Sequence, residues 1–162
     1  MTLSIRPTPP DHPHVLALIT ELDAYLASLY EPGDVYILDL AGLKDPSVIF
    51  LGAWSGDELV GCGAVRLMPA EPETDGRAYG EIKRMFVSPT RRGERIGRQL
   101  LESLERAVQE RGVDRALLET GPPQREALAL YTRCGYARRG AYGGYPDKAS
   151  ASVFMEKRWN PA

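Results

Sequence analysis

The chain has 162 residues, of which 43% are hydrophobic and 26% charged, which is typical of one soluble globular domain. Its net charge of −2 argues against general nucleic-acid binding, which usually needs a basic face. Two distant cysteines and two histidines near the N-terminus argue against a disulfide framework and a metal centre. No apolar run reaches membrane-spanning length and no signal segment begins the chain, so we expect a cytoplasmic protein without membrane contact.

The first half of the chain predicts a strand, a long helix and a β-hairpin. Apolar and polar residues alternate over 2–7, as in a short strand. Apolar residues recur at helical spacing over 12–29, where Asp11 is a candidate N-cap. Residues 30–46 mix turn residues with a short helical stretch and predict no definite element. Two β-rich runs then flank Ser55-Gly56-Asp57-Glu58, which predicts a hairpin, and 69–78 is a polar loop.

The second half alternates strands and helices before two closing strands. We predict strands over 79–87 and 113–120, and a helix over 96–112 that Gly112 stops. The "GPP" run predicts a further helix up to Gly135 with proline in its first turn. Residues 136–142 and 151–159 indicate the closing strands. The order β-α-β-β-β-α-β-α-β-β indicates one mixed α/β domain over 1–162.

Four arginines and two glycines stand in front of the predicted 96–112 helix, in the run "RRGERIGRQLL". A helix N-terminus carries partial positive charge, so cations crowded there indicate a bound anion, such as a phosphate. A P-loop would need Gly-Lys-Ser/Thr, whereas Gly97 is followed by Arg-Gln, and a GxGxxG fingerprint is absent. The alternative is that all four arginines are solvated surface charges.

The pattern Arg92-x-x-Arg95-x-Gly97 resembles the pyrophosphate loop of the GNAT (Gcn5-related) N-acetyltransferases, Q/R-x-x-G-x-G/A, with Arg95 in place of the middle glycine. The runs "EIKRMFVSPTRRGERIGRQLLESLERAV" and "LLETGPPQREALALYTRCGY" resemble two consecutive strand and helix blocks of that family. Gln124 stands where asparagine is commonest, and Tyr131 matches. The resemblance covers nearly the whole chain, and the hairpin and the tail fit bacterial members.

The resemblance implies a single GNAT-type domain of the mixed α/β class. Its sheet would be mostly antiparallel and twisted, with about seven strands and about four flanking helices. A V-shaped splay would lie between the strands that end near Val87 and Glu119.

The same resemblance implies acetyl-CoA as co-substrate, with no metal. Main-chain N–H groups of the loop would cradle the pyrophosphate, and the end of the preceding strand would pair with the pantetheine arm. The Arg95 side chain would either reach a CoA phosphate or point to solvent while its N–H binds, and we expect the second arrangement. The implied cofactor-binding residues are Met85, Phe86, Val87, Arg92, Gly93, Glu94, Arg95, Ile96, Gly97, Arg98, Gln124 and Tyr131.

Two catalytic roles follow from the resemblance. Glu81 matches the strand glutamate that acts as general base in part of the family, and the alternative is an ion pair with Lys83 or Arg84. Tyr131 matches the tyrosine that gives a proton to the CoA sulfur, and the alternative is a core aromatic residue. The N–H of Val87 would stabilise the oxyanion.

The acceptor implied is a primary amine of a small molecule or peptide. Tyr30, Glu31, Asp34, Tyr142 and Tyr145 are candidate acceptor-binding residues, although loops have the same composition without any function. A homodimer is an option, since relatives are often dimers. The alternative function is a catalytically silent acyl-CoA-binding sensor module.

Overall fold

A computed structural model describes residues 2–146 and 152–159, which form one seven-stranded sheet and four α-helices. In chain order the elements are β1 (Leu3–Pro7), α1 (Pro13–Leu29), α2 (Leu40–Leu43), β2 (Val48–Ser55), β3 (Glu58–Glu71), β4 (Arg77–Val87), α3 (Ile96–Glu110), β5 (Arg115–Thr120), α4 (Arg125–Arg133), β6 (Ala137–Arg139) and β7 (Val153–Arg158). The strands lie in the order β1-β2-β3-β4-β5-β7-β6, and among these described strands only the β4–β5 pair is parallel. The predicted fold class is therefore confirmed.

Several local expectations were wrong at the ends of elements. His12, not Asp11, caps α1, because its ring accepts the His14 N–H at 3.1 Å while Asp11 pairs with Lys44 at 2.9 Å. The prolines of "GPP" precede α4 instead of entering its first turn. The strand predicted over 136–142 is limited to β6, and residue 151 of the last predicted strand lies outside the described residues.

Two helices pack on opposite faces of β3 and build the core. Cys62 and Ala64 pack with α1, while the alternate positions Gly61 and Gly63 lie against leucines of α3. On β4, a Cβ added at Gly80 would lie 2.7 Å from Val108, so glycine there allows α3 to approach the sheet closely. The strong apolar face of α3 is buried as its sequence pattern predicts.

The sheet opens in a V between its two parallel strands. β4 and β5 pair only at Gly80–Ala116 and Glu81–Leu117 and diverge beyond these residues. In the same region β4 has one extra residue opposite β3, and Arg84 at this bulge has a left-handed φ of 58°. Because a bulge bends its strand, the end of β4 turns away from β5. The predicted splay near Val87 and Glu119 is confirmed.

Candidate active site

A cleft of about 640 Å³ lies between the end of β4, the loop before α3, and α4. This volume is within the usual range of small-molecule sites, roughly 300–1,000 Å³. The predicted cofactor-binding residues that line it are Met85, Phe86, Val87, Arg92, Gly93, Arg95, Ile96, Gly97, Arg98, Gln124 and Tyr131. Glu94 is outside the lining, since its carboxylate pairs with Arg91 at 2.9 Å. The fold thus brings all but one of the predicted residues together.

The four arginines before α3 differ in their charge partners. Arg91 pairs with Glu58 and Glu94, and Arg92 lies 2.9 Å from Glu126. Arg98 pairs with Glu102 at 3.0 Å. Arg95 is exposed and forms no ion pair with a carboxylate in the described part of the chain. It is therefore the cation of this cluster whose charge is left for an external anion.

The backbone at Arg95 explains why the resembled motif usually has glycine there. Arg95 is the N-cap residue of α3, with a left-handed φ of 62° and ψ of 23°. Its side chain does not cap the helix, so the first N–H groups of α3 have no side-chain acceptor from this residue. Such N–H groups at a helix start suit an anion such as a pyrophosphate.

A second, smaller cavity of about 80 Å³ lies inside the V of the sheet, between the end of α1 and the segment 34–38. It shares Leu22, Met85, Gln124 and Tyr131 with the large cleft. The full lining is Leu22, Leu26, Tyr30, Asp34, Val35, Tyr36, Ile37, Leu38, Ile82, Lys83, Arg84, Met85, Glu119, Thr120, Gln124 and Tyr131. The two cavities therefore adjoin at Tyr131.

Tyr131 is held by a tyrosine behind it. Its ring packs edge-on against Tyr136 at 5.8 Å, and the Tyr136 hydroxyl donates to Glu105 of α3 at 2.9 Å. Burial raises the pKa of Tyr131 well above its ordinary value of 10, so the hydroxyl keeps its proton at neutral pH. Nearby, Gln124 donates to the Tyr30 hydroxyl at 2.9 Å and does not cap α4.

Glu81 is enclosed and lines neither cavity. The residue is 2% exposed, and its carboxylate accepts hydrogen bonds from the Tyr142 and Tyr145 hydroxyls, both at 2.7 Å. Arg66 and Lys83 lie 3.7 and 3.8 Å from it. The structure therefore does not bring Glu81 to the cleft. Its contact with Lys83 agrees with the alternative that Glu81 forms an ion pair.

The predicted acceptor residues are divided by the fold. Tyr30 and Asp34 line the small cavity, whereas Glu31 is exposed outside it. Tyr142 and Tyr145 do not line it, because their hydroxyls bind Glu81.

Sequence reasoning missed Lys83, Glu119 and Thr120 as lining residues. The Glu119 carboxylate accepts from the Ser152 hydroxyl at 2.8 Å, and burial raises its pKa from an ordinary 4.5 to about 7. Burial lowers the pKa of Lys83, whose Nζ donates to the Tyr145 hydroxyl at 2.6 Å. The register of the two strands could have indicated Lys83 and Glu119, because their parallel pairing places positions 83 and 119 on facing arms of the V.

Residues 15–136 match the sequence model of the family described as Acetyltransferase (GNAT) family. The chain belongs to the GNAT acetyltransferase family. This confirms the resemblance, and relatives named acetyltransferase or N-acetyltransferase support the predicted classification of the chain as an N-acetyltransferase. The IAA acetyltransferase of Azospirillum brasilense is 46% identical over 144 residues, covering 88% of this chain and 89% of that protein. YsnE of Bacillus subtilis, named an uncharacterized N-acetyltransferase, is 32% identical over 146 residues, covering 89% and 91%.

Solved structures agree with this GNAT assignment. A Klebsiella pneumoniae protein, provisionally named an acyl-CoA N-acyltransferase, superposes with a TM-score of 0.79 at 38% identity over 97% of both chains. The PaiA N-acetyltransferase of Thermoplasma acidophilum, solved with coenzyme A, gives a TM-score of 0.73 over 98% of this chain and all of that one. At 16% identity the second likeness supports the fold alone.

Within residues 2–146 and 152–159, no group of three or more His, Cys, Asp or Glu side chains could hold a metal ion. No helix in these ranges has the length and apolar character to cross a membrane.

We predict that Arg95→Gly raises the free energy of unfolding by about 1 kcal/mol and that Arg95→Ala does not, because only glycine relieves the left-handed backbone. Urea unfolding measures the change. Arg106→Gly, at an exposed position inside α3, is the matched control and should destabilise by about 1 kcal/mol. Equal destabilisation by the two glycine variants would contradict the assignment of strain to Arg95.

Proposed function

We propose that this GNAT-family enzyme transfers the acetyl group of acetyl-CoA to a primary amine by direct attack in a ternary complex. The observation that carries the proposal is that two cavities adjoin at Tyr131. One contains the anion-compatible loop before α3, and the other is lined by a carboxylate, Glu119, that suits an amine. Because the two cavities adjoin, both substrates can be bound together, which favours direct attack over a covalent enzyme intermediate.

The large cleft has the groups that coenzyme A requires. The uncapped N–H groups at the start of α3 would bind the phosphates. The uncompensated Arg95 side chain would add a contact to a phosphate, in place of the solvent orientation expected from the sequence. Residues Met85–Val87 lie beyond the last β5 pair, so their backbone edge is available to the pantetheine amides. Acetyl-CoA supplies the acetyl group as an activated thioester.

Glu119 is the better candidate for the general base than Glu81. An amine is mostly ammonium at pH 7 and must lose a proton before it attacks. Glu119 lines the small cavity, and its pKa of about 7 suits a base that works near neutrality. Glu81 has its carboxylate occupied by two tyrosine hydroxyls. We therefore assign Glu81 a positioning role through Tyr145.

Tyr131 is the candidate proton donor to the departing thiolate. It lines both cavities, so its hydroxyl is near their junction. The raised pKa keeps that hydroxyl protonated over the whole working pH range.

The silent-sensor alternative gains no support from any described residue. The cytoplasmic location and the homodimer remain predictions from the sequence.

The first test is cofactor binding and turnover. We expect acetyl-CoA to bind in calorimetry and to release free thiol only when a primary amine is present. No binding at high micromolar acetyl-CoA would refute the function altogether. Binding without thiol release across a broad amine panel would instead favour the sensor.

The second test separates the two glutamates. For the wild type, kcat/KM should rise with pH through about 7, because the base acts as carboxylate and exists as such above its pKa. Glu119→Gln should remove this inflection and lower kcat/KM at pH 8 by about 10²- to 10⁴-fold. Glu81→Gln is the matched control and should keep the inflection. The reverse result would reinstate Glu81 as the base.

The third test concerns Tyr131. Tyr131→Phe should lower kcat by about 100-fold while the KM for acetyl-CoA changes little, since the ring still packs on Tyr136 and only the proton donor is lost. Steady-state kinetics with both substrates varied gives the two parameters. An unchanged kcat would remove Tyr131 as the acid.

A further inference from the structure

We propose that the acceptor is an apolar α-amino acid, whose carboxylate is bound by Lys83 and whose amine is bound by Glu119. This rests on the proposed acetyl transfer and adds the substrate class. It arises from one cation and one carboxylate that line the same cavity on different arms of the V.

Lys83 has hydrogen-bond donors that its neighbours do not use. Its side chain is only 12% exposed, yet its shortest contact is to a neutral group, the Tyr145 hydroxyl at 2.6 Å. Glu81 lies farther away at 3.8 Å and is shared with Arg66 at 3.7 Å. Two cations therefore face one enclosed carboxylate. An ammonium has three donors, so Lys83 retains donors for a ligand in the cavity that it lines.

Glu119 lies across the V from Lys83. The strands pair at Glu81–Leu117, and two residues further along each strand are Lys83 and Glu119. Because the strands diverge there, the two side chains do not form an ion pair with each other in the described structure. A buried cation and a carboxylate across a gap are complementary to a zwitterion that bridges them.

The small cavity also contains a side-chain hydroxyl, that of Thr120. The Thr120 hydroxyl is buried, lines the same cavity and has no hydrogen-bond partner among the described residues. An unsatisfied buried hydroxyl is costly, and a ligand carboxylate or amine would satisfy it.

The size and the polarity of the small cavity restrict the acceptor. The cavity of about 80 Å³ holds only a few heavy atoms, comparable to the charged head of an amino acid. Leu22, Leu26 and Ile37 also line it, so an apolar side chain that extends out of the cavity from that head would pass an apolar wall. A peptide amine or a simple alkylamine has no carboxylate beside its amine and would leave the remaining Lys83 donors without a carboxylate acceptor in the cavity.

The test uses matched acceptor sets: leucine, methionine and phenylalanine, each with its amide and its decarboxylated amine. Free-thiol release with saturating acetyl-CoA measures kcat/KM. We expect at least one amino acid to exceed its own amide and amine by about 10- to 100-fold, the usual value of a hydrogen bond to a charged group. Amides or amines used as well as the amino acids overturn this inference but leave acetyl transfer intact. No turnover with any set also overturns it, and then acetyl-CoA binding and the wider amine panel decide the proposed function.

Two variants test the anchor itself. Lys83→Met should raise the KM for the amino acid by about 10- to 100-fold, with a much smaller effect on the decarboxylated amine and on acetyl-CoA affinity. Lys44→Met, at an exposed ion pair with Asp11, is the matched control and should retain the wild-type preference. Thr120→Val should weaken amino-acid use while leaving thermal stability equal or higher, because it removes an unsatisfied hydroxyl. A preference that survives both Lys83→Met and Thr120→Val refutes the anchor.

Discussion

The brief parallel pairing of β4 with β5 is the constraint on which the site depends. Two residue pairs hold the strands together at Gly80 and Glu81, and the strands then separate. Separation leaves backbone groups of both strand ends without ladder partners, which is unfavourable unless another polar group binds them. A ligand with amides can bind one arm, and a small polar ligand can occupy the space between the arms. The sheet thus creates the site by interrupting its own hydrogen bonding.

The bulge at Arg84 links that opening to the rest of the molecule. A left-handed backbone at a non-glycine residue costs about 1 kcal/mol or more, so neighbouring contacts have to maintain it. The Arg84 guanidinium is buried and donates to Asp23 of α1 at 2.5 Å and to the Leu38 carbonyl at 3.1 Å. These two contacts connect the bulge to α1 and to the segment before α2. The walls of the small cavity are therefore held by the same residue that bends β4.

Local patterns were sufficient for most helices and strands, whereas the sheet, its splay and the lining of the large cleft followed from the family resemblance. The apolar face of α3 and the hairpin turn at Gly56 are encoded within a few residues, and so is the loop that contains Arg95. The small cavity could not be found in this way, because Glu119 looks like an ordinary polar position near a strand end. Its burial and raised pKa arise from elements distant in sequence. The environment of Glu81 was missed for the same reason, since Tyr142 and Tyr145 reach it from more than 60 residues away.

In the proposed reaction, Glu81 would act on the reactants only through other side chains. A carboxylate accepts hydrogen bonds, and the Tyr145 hydroxyl uses its one O–H donor in the hydrogen bond to Glu81. The oxygen of Tyr145 is then left as an acceptor, and Lys83 donates to it. This sequence of bonds fixes one Lys83 proton and leaves the other two for a ligand in the cavity that Lys83 lines. A hydrophobic residue at position 81 would fill the same space but would leave both the hydroxyl and the ammonium free to reorient. The buried carboxylate thus orients the cation that the proposed acceptor would meet.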